Sequence, residues 1–242
     1  LLERLANCDG RVFVDVSGMS RLLIVQVLVA LGNRKARFNR CFVAYTVAKI
    51  YPPSQNEVEA KIAQRNIDPT YSVLFLSSGV FDVTIVPELS STSIPLGQTR
   101  LIAFPSLEAY QLTALRAELQ PSRFTFIAGI PPSLANAWRP EAIQRINRVD
   151  TVKHDALTTS TLDYRETLDC LLQLYGKHSE RERLLISPTG SKMQTVAVGL
   201  FRTFMDDVQI VYPTPKGFRS PYTEGIGQLY SLPLDGFSAA LT

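Results

Sequence analysis

Two short segments carry the residues best suited to chemistry, and each lies where a predicted strand gives way to a predicted helix. The first is Ser187 to Lys192 (SPTGSK), between the strand pattern RLLI and an apolar helix pattern beginning at Ser191. The second is Val14 to Arg21 (VDVSGMSR), between the strand pattern RVFVDV and an apolar helix over Met19 to Leu31. Ligands of open α/β sheets bind at the carboxyl ends of strands, so both turns are candidate binding loops.

The Ser187–Lys192 turn combines groups that suit a phosphate. The first turn of a helix offers free backbone N–H groups and the positive end of the helix dipole. Thr189 and Ser191 add hydroxyl donors, Gly190 permits close backbone approach, and Lys192 supplies a point charge. The alternative is an ordinary N-cap made by Ser191 or Thr189, with Lys192 in solvent. The spacing differs from the Walker A pattern G-x-x-x-x-G-K-[ST].

In the Val14–Arg21 turn, Asp15 ends an otherwise apolar strand, so its charge needs a partner or an opening to water. Asp15 could orient a loop N–H group, bind a ribose hydroxyl, coordinate a cation or, in an enzyme, act as the acid/base. It could equally cap the next helix. Ser20 does not fit the nucleophile elbow G-x-S-x-G, because Leu22 holds the last position. The Rossmann fingerprint G-x-G-x-x-G follows no predicted strand, which argues against an NAD domain.

The stretch PTGSKMQTVAVGLF resembles the signature of CRISPR-associated Rossmann-fold (CARF) sensor domains, in which a Thr-Gly-Gly-Thr-Lys-like run precedes a helix of small and apolar residues. The match covers Leu185 to Phe201, with a fainter echo at Val14 to Arg21. Ser191 stands where a second Gly-Thr is expected, so this loop is shorter. The resemblance implies that the chain binds cyclic or linear oligonucleotide signals at a dimer interface, in prokaryotic antiviral defence. The ligand-binding residues that it indicates are Ser17, Gly18, Thr189, Gly190, Ser191 and Lys192.

Alternating strand and helix patterns must position these turns, and they predict a Rossmann-like α/β fold with a mostly parallel sheet and helices on both faces. We expect one domain over residues 1–242, with two pseudo-symmetric βαβ halves at 1–90 and 100–212. The two turns would then form a pair at one sheet edge. Residues 213–242 show no helical or strand period and predict an irregular tail, whose interleaved aromatic and basic residues could stack bases.

Composition narrows the function classes. The 242 residues carry a net charge of +3, with 45% hydrophobic and 19% charged residues, so a folded domain is expected. The longest apolar stretch is too short to span a bilayer, and long duplex DNA would require a broader basic face. Three separated cysteines predict reduced thiols in a cytoplasmic protein, and with only two histidines no metal site is expected. We also expect no cofactor.

Three hypotheses for the function remain open at this point. The first is a nucleotide- or oligonucleotide-binding sensor, which could pair with a second copy or with a protein of a defence complex. The second is an enzyme acting on a nucleotide or phosphosugar, with Asp15 as the acid/base and Lys192 stabilising charge in the transition state. The third is a scaffold subunit whose turns only cap helices.

Overall fold

A computed structural model describes residues 11–32, 40–68, 73–86, 89, 97–149, 154–218 and 223–234. The strands are β1 (Arg11–Asp15), β2 (Arg40–Ile50), β3 (Val80–Ile85), β4 (Gln98–Ala103), β5 (Arg123–Ile130), β6 (Asp155–Ser160), β7 (Glu182–Ser187), β8 (Gln209–Pro215) and β9 (Glu224–Pro233). The α-helices are α1 (Arg21–Gly32), α2 (Gln55–Ile67), α3 (Ala109–Leu119), α4 (Arg139–Asn147), α5 (Tyr164–His178) and α6 (Lys192–Phe204). A short 3₁₀ helix covers Leu134–Asn136.

The strands form two sheets. The larger has six strands in the order β3-β8-β7-β4-β5-β6, all parallel except β3, which runs antiparallel to β8 at one edge. The smaller has the order β1-β2-β9, with β1 parallel and β9 antiparallel to β2. The six-stranded sheet carries helices on both faces, which confirms the predicted Rossmann-like α/β class.

Two helices lie between the two sheets and pack against each other. One side of α6 contacts the small sheet through Met193 and Val196, while Val198 joins the core of the large sheet. Helix α1 is shared in the same way, with Ile24 facing one core and Val25 the other. Contact with two cores explains why both helices carry apolar residues on more than one face.

Helices α3 and α5 cover opposite faces of the large sheet. Leu112 and Leu115 of α3 pack on one face, whereas Leu171 and Leu174 of α5 share the other face with α6. The chain therefore leaves the neighbouring strands β4 and β7 toward opposite faces, to α3 and to α6. This reversal is the topological switch point of the sheet, where α/β proteins leave a crevice.

Two details of the predicted organisation are wrong. Residues 213–242 are predicted to be irregular, yet β8 continues to Pro215 and Glu224–Pro233 forms strand β9; residues 219–222 and 235–242 of this tail lie outside the described residues. The predicted halves at 1–90 and 100–212 are not separate units either, because β3 of the first half pairs with β8 of the second and β2 pairs with β9. Strand β3, from the first part of the chain, thus completes the large sheet, and strand β9, from the last part, completes the small sheet.

None of the helices in the described ranges has the length and apolar character needed to cross a bilayer.

Candidate functional site

The two predicted binding turns lie against each other. They follow β1 and β7, which belong to different sheets, so the expectation of a pair at one sheet edge is wrong. Close packing of α1 against α6 brings them together: a Cβ on Gly199 of α6 would lie 2.8 Å from Cδ1 of Leu28. The turns meet because their helices meet.

Reciprocal hydrogen bonds from two basic side chains join the turns. Lys192, the first residue of α6, donates from Nζ to the carbonyl oxygens of Val16, Ser17 and Met19, at 2.9, 2.5 and 2.8 Å. Arg21, the first residue of α1, donates from Nε to the carbonyl oxygen of Gly190. The similarity between SGMSR and TGSK therefore corresponds to reciprocal contacts in the structure. Lys192, at the end of the second segment, holds the turn after β1, and Arg21, at the end of the first segment, holds the turn after β7.

In the β7–α6 turn the predicted side chains make internal contacts. Thr189 is buried and donates from Oγ1 to the carbonyl oxygen of Phe104 at the end of β4, at 2.8 Å. Ser191 caps α6: its Oγ accepts from the Gln194 N–H group and its own N–H group donates to Gln194 Oε1. Ser191 Oγ also donates to the carbonyl oxygen of Thr161 at 2.8 Å. These contacts fix the turn across the switch point and match the N-cap alternative for Ser191.

Gly190 is required by packing rather than by backbone conformation. A Cβ at this position would lie 2.4 Å from Gln194 Oε1 and 2.9 Å from Phe104 Cβ. Gly18, the glycine of the other turn, is exposed, and a Cβ there would meet nothing within 4 Å. Gly18 therefore leaves its backbone open to a ligand, whereas Gly190 is tightly enclosed.

The β1–α1 turn is more open. Asp15 is exposed, and its Oδ1 accepts from the Ser17 N–H group at 2.9 Å. Ser17 Oγ accepts from the Thr46 N–H group of β2, and Ser20 Oγ accepts from the Leu23 N–H group as the cap of α1. The hydrogen bonds from Ser17, followed by the Lys192 charge, hold the pKa of Asp15 below its usual value. A carboxylate with a lowered pKa is a weak proton acceptor, so this geometry does not favour Asp15 as an acid/base.

Positive charge dominates where the turns meet. Burial, reinforced by the nearby Arg21 guanidinium, lowers the pKa of Lys192 to about 8, and the Asp15 carboxylate acts in the opposite direction. In the described part of the chain neither Arg21 nor Lys192 forms a salt bridge. Two cations thus share a half-buried site with one exposed carboxylate as counter-charge, an arrangement that a bound anion would stabilise.

Sequence reasoning missed two polar side chains at this site. Arg21 is anchored through Nε, while its terminal amino groups make no hydrogen bond to a described residue. Ser187, the last residue of β7, is fully buried, and its Oγ has no partner among the described residues. Arg21 could have been found from the sequence, because it follows SGMS as Lys192 follows TGS. Its contact with Gly190, however, depends on the packing of α1 against α6.

Other reactive groups lie elsewhere. The two histidines of the chain are at the amino-terminal edge of the large sheet, His154 against Phe124 and Phe126 and His178 beside Glu182. Within the described ranges, no group of three or more His, Cys, Asp or Glu side chains could hold a metal ion. An open cavity of about 310 Å³ lies at the ends of β5 and β6, and it contains none of the predicted site residues.

Comparison of the chain with protein-family models and with curated proteins found no match.

Proposed function

We propose that this protein binds a nucleotide or another phosphorylated ligand at the two facing turns, as a sensor or regulatory subunit. The observation that carries the proposal is the state of Arg21. Its Nε is fixed on the Gly190 carbonyl, and its terminal amino groups have no hydrogen-bond partner among the described residues. A guanidinium anchored in this way is a planar donor fork of the kind that pairs with phosphate oxygens.

Lys192 takes a supporting part in this proposal. Its three hydrogen bonds go to carbonyl oxygens, so in this arrangement it holds the Val16–Met19 backbone in place and adds positive charge beside Arg21. Gly18, which is exposed, and Ser17, which is half-buried, lie in the backbone segment that Lys192 holds. In this proposal Thr189, Gly190 and Ser191, which are predicted ligand contacts, fix the backbone of the β7–α6 turn that Arg21 contacts.

Binding without conversion is favoured over catalysis by the state of the proton-transfer groups. Lys192 has a pKa lowered to about 8, but three carbonyl oxygens engage its Nζ. Asp15 has a lowered pKa, and both histidines lie at the opposite edge of the large sheet. The CARF resemblance extends the proposal to a cyclic or linear oligonucleotide signal and to a cytoplasmic role in prokaryotic antiviral defence.

A thermal-shift screen tests this function. The probes are nucleoside mono- and triphosphates, cyclic oligonucleotides and sugar phosphates, with mass spectrometry of each recovered ligand. A ligand at 100 times its Kd adds about 2.7 kcal/mol, which raises the Tm by roughly 5 to 10 °C for a chain of this size. A shift with intact ligand supports the sensor. A consumed ligand supports the enzyme hypothesis, and a flat screen contradicts ligand binding in favour of a scaffold.

A further inference from the structure

Among the described residues, the small sheet has one face covered by helices and one open face. Side chains alternate along a strand, so Val12 and Val14 of β1 point toward α1 and α6, while Arg11, Phe13 and Asp15 point away. The register places Phe13 beside Phe42, and Phe42 beside Pro233. These three residues form a row across the sheet, which we call the apolar row.

The apolar row is open to solvent at Phe13 and Pro233 and partly covered at Phe42. Phe13 is 62% exposed and stacks on Phe42, with ring centroids 4.9 Å apart and planes 13° from parallel. Leu229, on the same face two rows away, is 64% exposed, and Pro233 is exposed as well. Clustered aromatic and aliphatic groups on an open sheet face mark an interaction surface.

The charges around the row identify the partner. Arg11 precedes Phe13 by two residues and Asp15 follows it by two, so opposite charges flank the apolar row on the same face of β1. A two-fold axis along the apolar row would place Phe13 against Phe13 of the other copy. Such an axis reverses the direction of β1, so each Arg11 would face the other copy's Asp15. An isologous interface requires this self-complementarity.

We propose that the open face of the small sheet, formed by the outward side chains of β1, β2 and β9, is the interface of a homodimer. The apolar row lies on the two-fold axis, and two reciprocal Arg11–Asp15 pairs set the register of the copies. This inference concerns assembly alone and is tested without ligand, so its outcome is separate from that of the proposed function.

Charge exchange at the two flanking positions tests the pairing. Purified wild type, Arg11→Glu and Asp15→Arg are measured by light scattering coupled to size-exclusion chromatography, over a wide range of protein concentrations. In an Arg11→Glu homodimer two carboxylates face each other, and in an Asp15→Arg homodimer two guanidinium groups do. Each variant should weaken dimerisation by at least about tenfold. An equimolar mixture of the two restores both opposite-charge pairs and should dimerise again.

Two further variants separate the interface from the rest of the surface. Phe13→Ser removes the central aromatic group and should also yield monomers, whereas Leu134→Ser alters a residue that is 92% exposed outside the small sheet and should leave the dimer intact. Circular dichroism confirms that each variant is folded. A wild type that is monomeric at every concentration overturns the proposal. A dimer that is insensitive to all three interface variants, or a mixture that stays monomeric, overturns it as well.

Discussion

The lowered pKa of Lys192 predicts a particular dependence of stability on pH, which the Lys192→Met variant exposes. The pKa of this group is about 8 in the folded protein and 10.5 as its ordinary value. Between these limits the unfolded chain holds a proton that the folded chain has released. The free energy of unfolding contributed by Lys192 must therefore rise as the pH rises from 8 to 10.5.

The size of this effect follows from the same values. One pH unit is equivalent to about 1.36 kcal/mol, so the full interval sets a ceiling of about 3 kcal/mol. Because Lys192 is half-buried, solvent screening reduces the expected gain to about 1 to 2 kcal/mol. At neutral pH, Lys192→Met should already cost about 1 to 3 kcal/mol, since three carbonyl oxygens lose their donor.

Urea unfolding of wild type and Lys192→Met at a series of pH values measures the difference directly. Between pH 8 and 10.5 we expect the free energy of unfolding of the wild type to rise by about 1 to 2 kcal/mol relative to that of Lys192→Met. Lys177→Met, at an exposed lysine in the last turn of α5, controls for the loss of a lysine as such. A difference that stays constant or narrows would refute the reasoning. It would mean that hydrogen bonds to the three carbonyl groups raise the pKa of Lys192 at least as much as burial and the Arg21 charge lower it.

Two further predictions concern packing and the buried ion network. Gly190→Ala should lower the free energy of unfolding by about 1 to 3 kcal/mol because the new methyl group meets Phe104, whereas Gly18→Ala should change it by no more than about 1 kcal/mol; chemical denaturation of both compares them. Arg100→Met should cost about 3 to 5 kcal/mol at neutral pH because Glu182 loses its buried partner. Arg100 holds the pKa of Glu182 below its ordinary value of 4.5, so this cost should shrink as the pH falls below that value, and a cost that persists in acid would contradict the assignment.

The local parts of the site could be predicted from the sequence. Strand-to-helix turns depend on nearby residues, and the Ser191 cap reads directly from its spacing to Gln194. The parallel sheet followed from the alternation of apolar strands and helices.

The long-range parts could not be predicted in the same way. Helices α1 and α6 are apolar on most sides because both lie between two sheets, yet a helix buried in one core has the same pattern. Strand β9 escaped detection because it is largely exposed and is held by backbone pairing with β2, which leaves little alternation in its sequence. The three acceptors of Lys192 depend on the packing of α1 against α6, which no local pattern records.

Arg21 provides the most direct test of anion binding at the two turns. Isothermal titration of each nucleotide or cyclic oligonucleotide that raises the Tm compares wild type, Arg21→Gln and Arg181→Gln, the last at an exposed arginine at the opposite sheet edge. We predict that Arg21→Gln weakens binding by at least about tenfold, since a charge-assisted hydrogen bond contributes about 1.5 to 3 kcal/mol. Arg181→Gln should bind as the wild type does. Unchanged affinity in a folded Arg21→Gln protein would contradict the account.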